Sequence, residues 1–255
     1  MLNVQRQQEI VDIIREKRSV TVSELAERFA VSDMTIRRDL DLLEKKGIVR
    51  KIYGGAVLAD YIFGGPQEIT MDERRVAQTE AKRRIGEFAA GLVDKDDIII
   101  LDAGTTTLPL AKSIRPSPNL VIITNSIPIA YELTGSPVNL LLVGGDVRVS
   151  THSTVGPKAK QFLEGLHARK FFLGASALSL ENGLMNFNLY DAEIKRKMME
   201  ISDQVILVAD STKFASPSHY TFAQWHEVDM FITDSGISPD IVAKLRKQGV
   251  RVEVV

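Results

Sequence analysis

Short polar stretches follow several apolar runs of this sequence, and the first of them has the residue types that bind a phosphate group. Residues 102–107 (DAGTTT) follow the apolar run at 98–101. Their glycine lets a ligand approach the backbone closely, and their threonines supply hydroxyl groups where a helix is expected to begin. Free amide groups and the positive end of a helix dipole favour a bound anion. The candidate ligand-binding residues of this stretch are Asp102, Gly104, Thr105, Thr106 and Thr107.

Similar polar stretches follow the later apolar runs. They contain the further candidate ligand-binding residues Asn125, Ser126, Gly145, Arg148, Asp210 and Lys213. For a single stretch, helix capping is the simpler interpretation, because Gly, Ser, Thr and Asp are common in any strand-to-helix turn. Five such stretches at one sheet edge, with two cations among them, favour a small polyhydroxylated anion such as a sugar phosphate. No GxGxxG or GxxxxGK[ST] motif indicates a nucleotide.

A sheet must bring these stretches together, and the sequence predicts one. Apolar runs of strand length alternate with helical patterns through the rest of the chain. Strands are predicted near residues 98–101, 120–123, 138–143, 170–173, 205–209, 230–233 and 250–254. One helix is predicted over 72–92, and later helices near 158–166, 192–202 and 240–248. Alternating helices and buried strands indicate an α/β fold with a mostly parallel sheet.

Residues 21–56 have a different pattern, that of a helix-turn-helix followed by a basic hairpin. The stretch 21–24 (TVSE) fits a capping box, in which a hydroxyl and a carboxylate satisfy free amides at the start of a helix. After a corner, Ser32 can cap a second helix with one apolar face. Residues 48–52 then alternate apolar and basic side chains before a Tyr-Gly-Gly turn, which is typical of a hairpin wing.

The second helix of such a motif lies in the major groove of DNA, with its early residues at the base edges. At about 100° per residue, Arg38 and Lys45 point away from the apolar stripe, and basic hairpin residues would neutralise phosphates. The candidate DNA-binding residues are Ser32, Thr35, Arg37, Arg38, Lys45, Arg50 and Lys51. The alternative is an ordinary helical domain with a solvated basic face. The cap, corner, cationic face and basic hairpin together favour DNA binding.

Composition is that of a globular protein and excludes several other classes. The chain has 255 residues, of which 44% are apolar and 25% charged, and its net charge is −1. It has no cysteine, which excludes disulfides and thiolate metal sites. Its apolar runs are too short for membrane spans, and its first residues do not form a signal peptide. We expect a cytoplasmic protein with no cofactor and no bound metal.

A Gly-Gly-Pro break at 64–66 indicates a linker between two domains. We predict a winged helix-turn-helix domain at 1–57, a linker at 58–71 and an α/β domain at 72–255.

Taken in this order, the motifs resemble those of the DeoR family of transcriptional repressors over essentially the whole chain. The run from Ser23 to Ala56 (SELAERFAVS…TIRRDLDLL…YGGA) is similar to the family's DNA-binding signature. The DAGTTT, TNS, GGxxR and DSTKF motifs resemble its effector domain. The resemblance implies a winged helix-turn-helix fused to a domain akin to ribose-5-phosphate isomerase. It also implies control of carbohydrate genes by a phosphorylated sugar.

The same resemblance assigns pocket positions residue by residue. It supports the candidates already given and adds Arg74 and Lys82, in the helix that precedes the sheet. Where family members often carry Glu before a late helix, this sequence has Asp191. Either its shorter side chain or the nearby Glu193 would then make that contact. For Lys195 and Arg196, a solvated helix face and a ligand role both stay open.

One alternative function is a sugar-phosphate isomerase with a DNA-binding appendage. Isomerisation through an enediol needs a carboxylate base, and Asp102, Asp191, Glu193 and Asp210 are candidates. Each can equally be a hydroxyl acceptor or a surface charge. An isomerase has no need of the basic surface at 37–51, so we expect a repressor rather than an enzyme. Its expected partners are operator DNA, a sugar-phosphate effector and further copies of itself in a homodimer or homotetramer.

Overall fold

The computed structural model describes residues 3–17, 19–45, 48–52, 54–58, 71–216, 218 and 220–255. The chain divides into two compact units, residues 1–68 and residues 69–255. Most of the predicted linker at 58–71 lies outside the described residues. Among the described residues, no helix combines the length and the apolar composition needed to span a membrane.

The first unit contains three helices and a small antiparallel sheet. Its elements are α1 (Asn3–Lys17), β1 (Ser19–Thr21), α2 (Val22–Phe29), α3 (Asp33–Lys45), β2 (Val49–Ile52) and β3 (Gly55–Leu58). The strand order is β1-β3-β2, so a short strand that the sequence pattern did not indicate extends the predicted hairpin. Apolar side chains from all three helices form one core, with Ile14, Leu25 and Ile36 almost completely buried.

Local capping explains where the helices of this unit begin and end. The predicted capping box is present: Thr21 accepts from the amide of Glu24 at 3.2 Å, and Glu24 accepts from the amide of Thr21 at 2.8 Å. Helix α2 ends at Ala30, which has a left-handed conformation with φ of 51°. The hydroxyl of Ser32 then accepts from the amide of Thr35 at 3.3 Å. These contacts confirm the predicted corner between the two helices.

A buried ion pair, which the sequence pattern did not reveal, joins α3 to α1. Asp39 is 3% exposed and accepts from Arg6 Nε at 2.6 Å and from Gln7 Nε2 at 3.0 Å. A buried carboxylate requires such partners, because removing it from water is costly. The contact therefore orients α3 on α1 and turns the opposite face of α3 towards solvent.

We expect Asp39→Ala to destabilise the first unit by about 3–5 kcal/mol, because the Arg6 guanidinium would stay buried without its carboxylate. Asp41→Ala is the matched control, since it removes a carboxylate whose ion pair with Lys51 is exposed. Its hydrogen-exchange protection should stay close to that of the parent. Hydrogen exchange of peptides from residues 3–58 measures both changes. Equal loss of protection in the two variants would contradict the stabilising role of the buried pair.

The second unit is an α/β sandwich around a parallel sheet. Its strands are β4 (Ile98–Leu101), β5 (Val121–Thr124), β6 (Asn139–Leu142), β7 (Asp146–Arg148), β8 (Ser153–Val155), β9 (Ala168–Leu173), β10 (Ala177–Ser179), β11 (Gly183–Asn186), β12 (Ser202–Val208), β13 (Tyr220–Ala223), β14 (Met230–Thr233) and β15 (Arg251–Val254). Within the described residues, seven of them form one sheet in the order β15-β14-β12-β9-β4-β5-β6, with every neighbouring pair parallel. This confirms the predicted fold class.

Helices cover both faces of the large sheet. They are α4 (Met71–Val76), α5 (Thr79–Ala90), α6 (Thr107–Ile114), α7 (Ile127–Leu133), α8 (Pro157–Phe162), α9 (Leu189–Glu200) and α10 (Pro239–Lys247), with 3₁₀ turns at Ser211–Ala215 and Trp225–Glu227. Successive strand residues alternate between the faces, so Phe171 and Phe172 lie in two different apolar cores. The predicted strands are all present, within a few residues of the expected bounds.

Two features of this unit differ from the sequence prediction. The pair β7-β8 and the antiparallel sheet β10-β11-β13 were not predicted. The prediction of a single helix over 72–92 is wrong. The helix is interrupted at Gln78, whose φ is 53°, and two helices form instead. The Lys82 ammonium stabilises this break by donating to the carbonyl oxygens of Arg74 at 2.5 Å and Ala77 at 2.6 Å. It thereby satisfies carbonyls that α4 leaves free at its end.

Candidate functional site

The carboxyl ends of neighbouring parallel strands bring most candidate ligand-binding residues to one edge of the large sheet. Asp102 follows β4, Asn125 follows β5, Gly174 follows β9 and Asp210 follows β12. This is the edge at which open α/β sheets bind ligands.

The loop after β4 is closed by one of its own threonines. The Thr107 hydroxyl donates to the carbonyl oxygens of Asp102 at 2.7 Å and Gly104 at 3.0 Å, so its proton is committed within the loop. The expectation that this hydroxyl serves a ligand is therefore corrected to a structural role. Thr106 occupies the N-cap position of α6, and within the described residues its hydroxyl makes no capping hydrogen bond. The first amides of α6 consequently have no side-chain cap.

Asp102 lies in a buried ion pair with Lys195 of α9. Its Oδ2 accepts from Lys195 Nζ and from the amide of Gly174 at 2.8 Å. Lys195 is 6% exposed and also donates to the Gly174 carbonyl oxygen at 3.0 Å. The interpretation of Lys195 as a solvated residue is therefore wrong, whereas Arg196 is exposed and pairs with Glu227. Lys195 holds the middle of α9 against the loop that follows β4.

A second buried ion pair lies one helical turn away on α9. Asp191 Oδ2 accepts from Arg148 Nη1 at 2.5 Å, and both side chains are buried. Residues four apart share a helix face, so Asp191 and Lys195 both point towards the sheet edge. Glu193 is half-buried and lies 3.4 Å from Lys160 Nζ, which leaves Asp191 as the partner of Arg148. The two pairs hold α9 across the carboxyl ends of the strands.

Three other candidates have structural contacts of their own. Ser126 Oγ caps α7 by accepting from the amide of Ile129 at 3.3 Å. Gly145 has a φ of 152°, and a Cβ there would lie 2.7 Å from the carbonyl oxygen of Val155. Asn125 Nδ2 donates to the Thr154 carbonyl oxygen at 3.1 Å. These contacts account for the residue types, and their ligand-binding roles stay predictions.

Two lysines with lowered pKa values, Lys82 and Lys213, lie near Asp210. Asp210 Oδ1 accepts from the Thr212 amide at 3.2 Å and from its hydroxyl. Burial lowers the pKa of Lys82 to about 8, against the opposing effect of Asp210, and Lys213 and Arg74 lower it further. Burial likewise lowers the pKa of Lys213, and Arg74 adds to that effect. The positive charges of Lys82 and Lys213 thus disfavour each other in a partly buried place, an arrangement that a bound anion would stabilise.

We expect an anion that binds beside Lys82 to lose affinity as pH rises through about 8, with glucose 6-phosphate and ribose 5-phosphate as the probes. Below that pH Lys82 is protonated, and a bound phosphate raises its pKa further; above it, binding must first take up a proton. Calorimetric titration at pH 7 and pH 9, in buffers of different ionisation enthalpy, measures both affinity and proton uptake. Lys82→Met should lose most of the proton uptake, and an unchanged uptake in that variant would assign it to Lys213.

The outer face of α3 in the first unit is cationic. Arg37, Arg38 and Lys45 are exposed, whereas the Ser32 and Thr35 hydroxyls lie 2.9 Å apart and bond to each other. Lys51 is ion-paired with Asp41, which raises the pKa of the lysine. The side chain of Arg50 lies outside the described residues. Within the described part of the chain, three exposed cations of the candidate DNA-binding surface have no intramolecular ion pair: Arg37, Arg38 and Lys45.

Family models match both units of the chain. Residues 6–61 match the DeoR-like helix-turn-helix domain, and residues 77–235 match the DeoR C terminal sensor domain.

Relatives match along nearly the whole length. The chain is 39% identical over 256 residues to the uncharacterized HTH-type transcriptional regulator YulB of Bacillus subtilis, covering 100% of this chain and 98% of that one. It is 35% identical over 248 residues to the transcriptional repressor AccR of Agrobacterium fabrum, covering 95% of each. Among solved structures it is similar to ribose 5-phosphate isomerase A of Methanocaldococcus jannaschii, with a TM-score of 0.40, 14% identity and coverage of 54% of this chain and 55% of that one. This last likeness carries no information on activity.

Proposed function

Because the chain belongs to the DeoR family of transcriptional regulators, we propose that it represses carbohydrate-metabolism genes and that a phosphorylated sugar releases it from operator DNA. The observation that carries the effector half of this proposal is the pair of partly buried lysines beside Asp210, Lys82 and Lys213, whose pKa values are both lowered by burial. The pair lies at the same sheet edge as the uncapped start of α6. Both features favour a small anion.

The phosphate group would bind the amides of residues 104–107, with Lys213 as the nearby cation. A charge-assisted hydrogen bond from an ammonium to a phosphate oxygen is about twice as strong as a neutral one. It would also offset the burial of the Lys213 side chain, whose ammonium makes no hydrogen bond within the described residues. The sugar hydroxyls would then lie towards Asp102 and Asn125.

Operator DNA would bind the outer face of α3. A single winged helix offers limited contact area, so specific binding of this kind normally uses two half-sites and at least a dimer. The effector changes DNA affinity only if the sensor and DNA-binding sites share a conformational equilibrium. We propose that the bound sugar phosphate favours the state with low affinity for DNA.

The rival proposal, an isomerase, needs a carboxylate free to act as a base. In the described part of the chain, each candidate at the sheet edge already has a donor. Asp102 is paired with Lys195, Asp191 with Arg148, and Asp210 accepts from Thr212. Each of these three carboxylates therefore has an oxygen engaged within the protein rather than held ready for proton abstraction. These contacts support binding rather than turnover.

The test uses the full chain, DNA selected by that chain from a random library, and a panel of sugar phosphates. A sugar phosphate that binds the folded protein should raise its melting temperature, and the unphosphorylated sugar should not. The same compound should displace the selected DNA in a fluorescence anisotropy titration. A panel without a stabilising compound, or isomerised product detected by NMR, would overturn the proposal.

A further inference from the structure

Two buried oxygen atoms at the adjacent ends of β4 and β5 have no hydrogen-bond partner among the described residues. They are Oδ1 of Asp102 and Oδ1 of Asn125, and each of these residues is 1% exposed. Leu101 and Thr124 pair in register, so the residues that follow them stand side by side at the ends of β4 and β5. Buried polar atoms are nearly always hydrogen-bonded in folded proteins, and an unpartnered one calls for an explanation.

The contacts of the other polar atoms in these two side chains show that both oxygens are hydrogen-bond acceptors. The second carboxylate oxygen of Asp102 is held by Lys195 and by the amide of Gly174. The amide nitrogen of Asn125 donates to the carbonyl oxygen of Thr154, which can only accept, so the oxygen of Asn125 faces the other way. Both remaining atoms are acceptors. Their common partner must therefore be a donor.

The local charge indicates which kind of chemical group this hydrogen-bond donor is. The negative charge of Asp102 is already matched by Lys195, and the ammonium groups of Lys82 and Lys213 lie near Asp210 on the same edge. A ligand ammonium group would add another positive charge to this edge. Neutral hydroxyl groups supply the required protons without that repulsion.

We propose that Asp102 Oδ1 and Asn125 Oδ1 accept hydrogen bonds from two neighbouring hydroxyl groups of the effector. The pair then selects a sugar phosphate that carries both hydroxyls over an analogue that lacks one of them. Lys195 is a positioning residue for this site, because it holds the other oxygen of Asp102 and leaves Oδ1 directed at the ligand. This inference rests on the proposed function, since it concerns the sugar part of the same effector.

A buried water bridging the two oxygens is the competing explanation. Water would satisfy the same acceptors but would confer no preference between a hydroxylated sugar and its deoxy analogue. The two explanations therefore differ in a measurable ratio of affinities.

The experiment measures calorimetric affinities of the full chain for inorganic phosphate, ribose 5-phosphate, glucose 6-phosphate and the monodeoxy analogues of both sugars. At least one deoxy analogue should bind about tenfold or more weakly than its parent sugar. In Asn125→Ala this ratio should shrink towards one, while binding of inorganic phosphate stays measurable. Asn139→Ala, an exposed asparagine at the start of β6, is the matched control and should keep the parent ratio.

Each outcome decides the matter. If every deoxy analogue binds the unmodified protein as tightly as its parent sugar, the oxygens hold water only and the inference fails, whether or not Asn125→Ala folds. If Asn125→Ala keeps the parent ratio, the inference fails although the proposed function stands. If neither sugar phosphate nor phosphate binds the unmodified protein, the inference fails, and the proposed function fails with it when the whole panel of sugar phosphates also lacks a stabilising compound. The positioning role of Lys195 is tested separately. Lys195→Met should reduce the ratio of the affinities for parent sugar and deoxy analogue, and Lys195→Arg should restore it. If Lys195→Met leaves this ratio unaffected, Lys195 has no positioning role.

Discussion

Arg38→Ala should weaken binding to selected operator DNA by about ten- to a hundredfold and relax its sequence preference. Arg38 is exposed on the outer face of α3, the face opposite the ion pair of Asp39 with Arg6. A guanidinium that contacts base edges in the major groove contributes about 1–3 kcal/mol of discrimination. Fluorescence anisotropy with selected and random DNA, at several salt concentrations, separates the base contact from the phosphate contacts.

Arg84→Ala is the matched control for this experiment. Arg84 is an exposed cation on α5 of the second unit, so the change alters net charge equally without touching the first unit. It should leave affinity for selected DNA near that of the parent. If Arg38→Ala folds and binds selected DNA like Arg84→Ala, α3 is not the recognition helix.

Features with a local signal were predictable from the sequence. The hydroxyl and carboxylate of Thr21 and Glu24 are three residues apart, and their capping box forms as expected. The buried strands of the large sheet are short continuous apolar runs, and each was found within a few residues. Local hydrogen bonds and burial on both faces dictate these elements, so a short window of sequence contains the information.

The break at Gln78 had no such signal. Neither glycine nor proline marks it, and the residue adopts a left-handed conformation that glutamine rarely takes. Its stabilising contacts come from Lys82, one turn into the next helix. Helical periodicity therefore continues through 72–92 although the helix itself does not.

The ion pairs at the sheet edge also could not be predicted from any short stretch of the sequence. Lys195 and Asp102 lie 93 positions apart in the chain, and Arg148 and Asp191 lie 43 apart. The spacing of Asp191 and Lys195 does place them on one helix face, but an acidic and a basic residue at that spacing usually form an exposed pair. Only the packing of α9 over the strand ends shows that each has a different partner. The sequence thus predicts the candidate residues as a group. Only the fold shows which of their atoms make structural contacts and which are left for a ligand.

Lys213→Met should weaken sugar-phosphate binding by about ten- to a hundredfold and leave DNA binding without effector unchanged. Hydrogen bonds to a charged group contribute about 1.5–3 kcal/mol, and within the described residues Lys213 makes no hydrogen bond that would compete with a ligand. The measurement is displacement of selected DNA by the sugar phosphate that stabilises the parent most. The variant should need correspondingly more of that compound for half-release.

The stability of Lys213→Met distinguishes a lost phosphate contact from misfolding of the variant. Burial lowers the pKa of Lys213, which means that its charge is unfavourable in the folded protein without ligand. Methionine keeps the length of the side chain and removes that charge, so the melting temperature without ligand should stay unchanged or rise. Lys247→Met, at the end of α10, removes an exposed lysine and should keep both the parent stability and the parent response to effector. If Lys213→Met is stable and still releases DNA at the parent effector concentration, the phosphate lies elsewhere and the cations beside Asp210 serve only the fold.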